Sequence, residues 1–247
     1  MSTNSISKTF EVIRAFTDQQ GQWGVNELAR YLEVPPSSLH RILKTLRQEN
    51  ILMVDELTKR YQIGEEMIRL SSIVTSKIGI KQIAQSPLAN LAEKIEESIY
   101  LGLYQPMHEK LAFIECFHST KNAVQYVLEI GKLQTLTKGA SGKVILANLP
   151  PAKVKRIFEQ ENLTQEQRDI IYEQIKFVHE NGYLITNNER NVGAFGLAAP
   201  IFSGTGEIVG CVCCVIPTKV FEGDLLDYNV QNILRTANDI SNLLGYK

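Results

Sequence analysis

The run Ser37-Ser38-Leu39-His40-Arg41-Ile42-Leu43-Lys44-Thr45-Leu46-Arg47-Gln48 carries the clearest chemistry in the chain. Wound as an α-helix, it buries a stripe of Leu39, Ile42 or Leu43, and Leu46. Ser37, Arg41, Lys44 and Gln48 then share the opposite face, with Ser38, His40 and Arg47 flanking it. Hydroxyls and cations at a helix N-terminus reach phosphate oxygens, and arginine reads guanine bidentately in the major groove of double-stranded DNA. Lys59 and Arg60, at the tip of an expected hairpin, are placed for a phosphate or a narrow minor groove. Lys8, at the start of the first helix, adds another phosphate contact. Asp55 and Glu56 beside the tip oppose entry into a groove. Taken alone, the helix also reads as an ordinary solvated face.

A second chemical candidate is Gly139-Ala140-Ser141-Gly142-Lys143-Val144. It is not a P-loop: two residues separate its glycines instead of four, and Val144 stands where a hydroxyl is required. Backbone N–H groups at a helix start do, however, attract anions. Among the four cysteines, Cys211 and Cys213 share a strand face and Cys214 points the other way. A C-x-C-C run lacks zinc-loop spacing, with His108 and His118 the nearest further donors, so buried small hydrophobes are the expected role. His40 and His179 read as surface helix residues. Trp23 is expected to pack over the edge of the small domain. No Ser/His/Asp set, metal cluster or cofactor motif is found, so no catalytic residue, metal or cofactor is expected.

The elements that position these groups follow from periodicity. Ile6, Phe10, Ile13 and Phe16 predict a first helix ending near Asp18. Val25, Leu28, Ala29 and Leu32 predict a second, with Asn26 as its cap. Pro35-Pro36 ends one element and opens the third helix. Ile51–Val54 and Arg60–Ile63 predict a hairpin, which completes the order of a winged helix-turn-helix. Met67, Leu70 and Val74 predict a joining helix from Glu65 to about Ser76. Beyond it come a helix over Ile83–Glu96 with the stripe Ala84, Leu88, Leu91 and Ile95, and a hairpin of Ser98–Tyr104 with Lys110–Phe117. Strands are expected at Val124–Glu129, Gly182–Thr186, Gly196–Phe202 and Glu207–Ile216, then a long final helix from Leu226 to Leu244. The fold class is α+β.

Composition fits two globular domains: 247 residues, 44% hydrophobic and 21% charged. With 26 Lys and Arg against 27 Asp and Glu, any DNA-binding surface must be local. The longest apolar stretch, Ile208 to Ile216, falls short of the roughly 20 residues that cross a bilayer. The N-terminus lacks a signal-peptide core. A cytoplasmic protein with no membrane partner is expected.

Asn26-Glu27-Leu28-Ala29, the Val34–Leu46 segment and Arg60-Tyr61-Gln62-Ile63-Gly64 together resemble the IclR family of bacterial transcription regulators. The similarity continues through Ala140–Lys143, Asn181-Gly182-Tyr183, Leu197–Phe202 and Leu243–Tyr246, spanning nearly the whole chain. The resemblance implies a winged helix-turn-helix over residues 1–64, a dimerising linker helix over 65–79, and a GAF-like α/β effector-binding domain over 80–247. It implies a homodimer, with dimers of dimers on a pseudo-palindromic operator, and a small-molecule effector. Glycine is usual in the family where Glu33 and Lys59 stand; a side chain is tolerated at φ > 0 at a cost of about 1 kcal/mol, so these departures bear on the local geometry of both turns and not on the fold. In relatives a small carboxylate sits on the amides matching Ala140 and Ser141, with Gly142 opening a helix. The family's polar pocket positions fall at Thr186, Gly196, Cys213 and Val215. Those replacements make the pocket more apolar and imply an effector larger than glyoxylate or pyruvate, of aromatic or branched type. The alternatives are a GAF-like thiol enzyme or redox sensor, with Cys213 as the thiol, and a DNA-binding dimer that senses nothing.

Overall fold

Three helices and three short strands build the N-terminal part: α1 (Ser5–Asp18), β1 (Gln22–Trp23), α2 (Val25–Tyr31), α3 (Pro36–Gln48), β2 (Leu52–Val54) and β3 (Tyr61–Ile63). The structure, a computed structural model, describes residues 5–77, 79–118, 128–190, 192–218 and 223–246. Leu28 and Ala29 of α2 and Leu39, Leu43 and Leu46 of α3 enter a core with Val12, Ala15, Phe16, Trp23 and Leu52. Of the Ile42/Leu43 pair, Leu43 is the fully buried one. The α1 stripe is rotated from the expected one: Val12, Ala15 and Phe16 face inward, while Ile6 and Phe10 are 64% and 55% exposed. Four apolar residues at helical spacing fit more than one face, and only the neighbours of α1 decide between them.

The expected hairpin is present, but it gains a third strand. β1 pairs antiparallel with β3, setting Gln22 against Gln62 and Trp23 against Tyr61. Trp23 is buried, donates its indole N–H to the Ala15 carbonyl at 3.0 Å and lies 5.0 Å from the Tyr31 ring. The N-cap of α2 is Gly24, not Asn26; Glu27 accepts from the Gly24 N–H at 3.4 Å and so closes the first turn. Pro36 occupies the first turn of α3, where its missing N–H costs nothing. α4 (Glu65–Lys77) follows. Ile68, Leu70 and Ile73 on it are exposed, and Met67 is half-buried. The side chain of Val74 lies outside the described residues.

The chain folds as two units, Met1–Ile78 and Gly79–Lys247. The second contains α5 (Gly79–Ile95), β4 (Ser98–Gln105), β5 (Lys110–Phe117), β6 (Leu133–Gln134), α6 (Gly139–Ala147), α7 (Pro151–Gln160), α8 (Gln165–Asn181), β7 (Leu184–Asn187), β8 (Ala194–Phe202), β9 (Ile208–Pro217) and α9 (Gly223–Leu243). The strands form one sheet in the order β6-β5-β4-β9-β8-β7, antiparallel at every named pairing. Because strand side chains alternate, this sheet has two apolar faces. Cys211, Cys213 and Val215 join Tyr100, Phe113 and Val144 on the face of α6, α7 and α8. Val212, Cys214 and Ile216 join Ala84, Leu88, Ile233 and Ile240 on the face of α5 and α9. α5 begins at Gly79 rather than Ile83 and runs through Pro87, and its stripe of Ala84, Leu88, Leu91 and Ile95 is buried as expected.

Two expectations change. Of the strand expected at Val124–Glu129, residues 124–127 lie outside the described residues. Leu128 and Glu129 belong to no strand, and Ile130 makes a single parallel bridge to Phe113. The segment from Gly182 starts its strand only at Leu184, because Gly182 caps α8 in the left-handed region.

Glu33 and Lys59 have φ of 52° and 56°, in line with the family's glycines at those positions. A side chain there is strained by about 1 kcal/mol. Glu33 is exposed, and replacing it removes no packing. Glu33→Gly should therefore stabilise the N-terminal unit by about 0.5–1 kcal/mol. Urea unfolding followed by Trp23 fluorescence measures it, and a loss of stability would contradict the strain.

Candidate functional site

The outer face of α3 carries Ser37, Ser38, His40, Arg41 and Lys44, all exposed, over the buried row of Leu39, Leu43 and Leu46. The helix contains no acidic residue, so the cations on this face have no acid within their own helix. At its C-terminal end Arg47 lies 3.8 Å from Glu56, a long, exposed pair of little energetic weight.

The other expected DNA contacts are placed differently. Lys8 is tied back into its own unit, with Nζ 2.7 Å from Glu11 and 3.4 Å from the Leu32 carbonyl. Arg60 donates to Glu27 at 2.6 Å and to the Gln22 carbonyl at 3.1 Å, so it clamps β3 to β1 and α2. Both cations thus have an acidic partner within their own unit. Sequence spacing locates them near the reading surface but says nothing of the acids folded beside them. Lys59 alone stays at the wing tip, exposed and 3.0 Å from Glu56. Asp55 accepts from the Leu57 and Thr58 N–H groups, both at 2.9 Å, and these bonds hold its carboxyl below the ordinary range. Its charge shapes the turn.

In the second unit, a narrow cleft with a free volume of about 30 Å³ lies where the N-terminus of α6 meets β7, β8 and β9. Six of the seven residues singled out from the sequence line it: Ala140, Ser141, Thr186, Gly196, Cys213 and Val215. Gly142 does not. α6 opens at Gly139 rather than Gly142, and a Cβ on Gly142 would come within 2.8 Å of the Thr135 and Leu136 carbonyl oxygens. Its role is close packing. Gly196 keeps the cleft floor open, since a Cβ there would stand 3.3 Å from Thr186 Oγ1 and 3.7 Å from the Ala140 Cβ.

The anion-binding end of α6 is already served by the chain itself. The Gly139 N–H donates to Glu189 Oε2 at 3.0 Å, and the Ala140 N–H donates to Thr186 Oγ1 at 3.0 Å. The Glu189 carboxylate also takes the Lys143 ammonium at 2.5 Å, although Lys143 is almost wholly buried. Arg190, beside them, donates to Gln134 Oε1 at 2.7 Å, to the Thr135 carbonyl at 3.2 Å and to the Lys138 carbonyl. Burial lowers its pKa, and the neighbouring thiols and Glu189 work the other way; a guanidinium stays charged regardless. Glu189, Arg190, Leu128, Ala194 and Phe195 also line the cleft, and the sequence reasoning missed them. The Glu-Arg pair close after Thr186 is the sequence signal that could have found two of them.

The thiols are unsuited to nucleophilic work. Burial pushes the Cys213 thiol up to about 12, against the pull of Arg190 and of a hydrogen bond from Ser141. Burial likewise raises Cys211 and Cys214 well above the ordinary thiol range. His118 approaches Cys116, not the buried run, with Nε2 3.5 Å from Sγ. Burial raises Cys116 as well. Among the described residues no group of His, Cys, Asp and Glu is arranged to hold a metal, and no helix is long and apolar enough to cross a membrane.

Comparison with known proteins agrees with both units. The IclR helix-turn-helix domain matches residues 5–56, and the C-terminal domain of bacterial IclR transcriptional regulators matches residues 72–242. The HTH-type transcriptional regulator KdgR of Escherichia coli is 24% identical over 251 residues, which cover 99% of this chain and 94% of that protein. The crystal structure of an IclR transcriptional regulator from Alicyclobacillus acidocaldarius aligns with a TM-score of 0.88 at 19% identity, over 99% of this chain and 100% of that one. An IclR homologue from Microbacterium hydrocarbonoxydans, crystallised with 4-hydroxybenzoate, gives 0.83 at 16% identity, over 98% and 99%. These structures establish the α+β fold, a helix-turn-helix unit followed by an α/β unit.

The burial of the thiols has a direct chemical consequence. Iodoacetamide at about pH 8 should label Cys116 slowly in the folded protein, and Cys211, Cys213 and Cys214 only after denaturation. Peptide mass mapping reads the order, and early labelling of Cys213 would restore the thiol-enzyme alternative.

Proposed function

This chain belongs to the IclR family of bacterial transcriptional regulators, and on that premise we propose that a small, largely apolar carboxylic acid bound beside α6 controls its grip on an operator. DNA binding and a C-terminal effector domain come with the family. The effector's chemistry, the contact residues and the assembly are the proposal. The observation that carries it is the cleft itself, in which Ala140, Ser141, Thr186, Gly196, Cys213 and Val215 converge from several elements. The family resemblance implies hydroxyls where Cys213 and Val215 stand, and Leu128, Ala194 and Phe195 extend the apolar wall. The relative crystallised with 4-hydroxybenzoate holds an acid of this type.

On DNA, α3 enters the major groove. Ser37, Ser38 and His40 meet the backbone, and Arg41 and Lys44 reach base edges and phosphates. Lys59 is an accessory phosphate contact, while Lys8 and Arg60 act only through the fold that they brace. A homodimer presents two such helices to a pseudo-palindrome, and two dimers can share one operator. The protein acts in the cytoplasm, where its DNA is. Acid binding changes the relative population of DNA-competent and DNA-incompetent states, which requires different acid affinity in the two.

Selection from a random duplex pool, followed by fluorescence anisotropy on the enriched site, tests the reading side. Arg41→Ala should weaken binding by about 1–3 kcal/mol and relax preference at one base position. Lys59→Ala should weaken all sequences slightly and equally. Unchanged binding by Arg41→Ala would displace α3 from the groove.

A further inference from the structure

An acid effector, as proposed above, needs a group in the cleft to take its negative charge. The first two backbone donors of α6 are not free for it: Gly139 serves Glu189 and Ala140 serves Thr186. Lys143 is not free either, because its ammonium is held by Glu189 at 2.5 Å. That pairing cancels one positive charge against one negative and leaves Arg190 as the cleft's remaining charge.

Arg190 is built as an anchor. Its Nη groups are fixed on Gln134, on the Thr135 carbonyl and on the Lys138 carbonyl. Gly139 makes room for it, since a Cβ at that position would stand 3.1 Å from Nε. Nε itself is buried and has no hydrogen-bond partner among the described residues. A buried donor on a charged group is costly to leave unpaired. Three side-chain atoms of the described residues are in that state, Tyr104 Oη, Gln174 Oε1 and Arg190 Nε, and of these residues only Arg190 lines the cleft. Neither the amide motif nor the expected pocket positions include it.

We propose that Arg190 is the effector's charge anchor: the cleft widens to uncover its buried Nε–H, which donates to a carboxylate oxygen of a monoanionic acid, and the apolar wall of Leu128, Ala194, Phe195 and Val215 takes the rest of the molecule. The guanidinium is pre-organised by its three other acceptors, so binding does not have to order it. A dianion is disfavoured, because the second charge would face Glu189 without a free cation. Uncharged amides of the same shape keep the wall contacts and can still accept from Nε–H, but they lose the attraction between opposite charges.

The experiment is calorimetric titration of the full chain with benzoate and pyruvate, each paired with its uncharged amide. In the wild type at least one acid should bind about tenfold or more tighter than its amide, as a hydrogen bond to a charged group implies. Arg190→Gln should bring that ratio to within about threefold, mainly by weakening the acid, and Arg190→Lys should retain part of it. Since Arg190 also braces three backbone and side-chain acceptors, a mutation-free measurement stands beside the variants. The Nε–Hε resonance of Arg190 in the wild type should move on addition of the acid, and move less with the bound amide, whose carbonyl is the weaker acceptor. Full acid preference in Arg190→Gln, or an unmoved Nε–Hε signal in an acid-saturated sample, would overturn the assignment while leaving an acid effector standing. Binding of the amides but of neither acid would overturn both.

Discussion

A helix that starts against a sheet leaves its first N–H groups without intrahelical partners, and in α6 those of Gly139 and Ala140 are answered by Glu189 and Thr186. The arrangement around the cleft depends on this junction. Glu189 joins the helix start to the Lys143 ammonium, so the loop after β7 is drawn onto α6. Glu189 also compensates a lysine that would otherwise be buried alone, at a cost of roughly several kcal/mol. On the other side Gly142 lets α6 press against the Thr135 and Leu136 carbonyls.

The sheet supplies the second wall by alternation. Cys213 and Val215 face the cleft because they lie two positions apart on β9, while Cys214 between them faces α5 and α9. The same alternation keeps three thiols in dry surroundings, where burial holds them protonated. They behave as compact apolar side chains, and Cys213 fills a place that a hydroxyl would make polar.

Much of this is legible in the residues themselves. Leu39, Leu43 and Leu46 announce α3 through their spacing, and the proline pair announces its start. Ala84, Leu88, Leu91 and Ile95 fix the buried face of α5. The cleft residues Ala140, Ser141, Thr186, Gly196, Cys213 and Val215 come from four separate segments, and only family resemblance could gather them. What escapes the sequence depends on neighbours distant along the chain. Ile6 and Phe10 are as apolar as Val12 and Phe16, and the packing of α1 alone decides which pair is buried. β1 is two residues long and exists because β3 pairs with it. Arg60 looks free in the sequence until Glu27, far back in the chain, is folded beside it. Arg190 lies close after Thr186 in the sequence, but what holds it there is not legible, because its acceptors at 134, 135 and 138 lie far upstream.

A regulator needs its two units to respond to each other, and thermodynamics gives that response a signature independent of the path it takes. If the acid favours one DNA-binding state, DNA must change the affinity for the acid by the same factor. The most direct measurement is the dissociation constant of the best-binding acid, taken on the full chain alone and again with a saturating selected duplex. Control of the operator by the acid predicts two different constants, separated by about fivefold or more, and a matching change in duplex affinity when the acid is saturating. Equal constants, measured with both ligands bound at once, would contradict that control and leave a DNA-binding protein whose cleft does not regulate it.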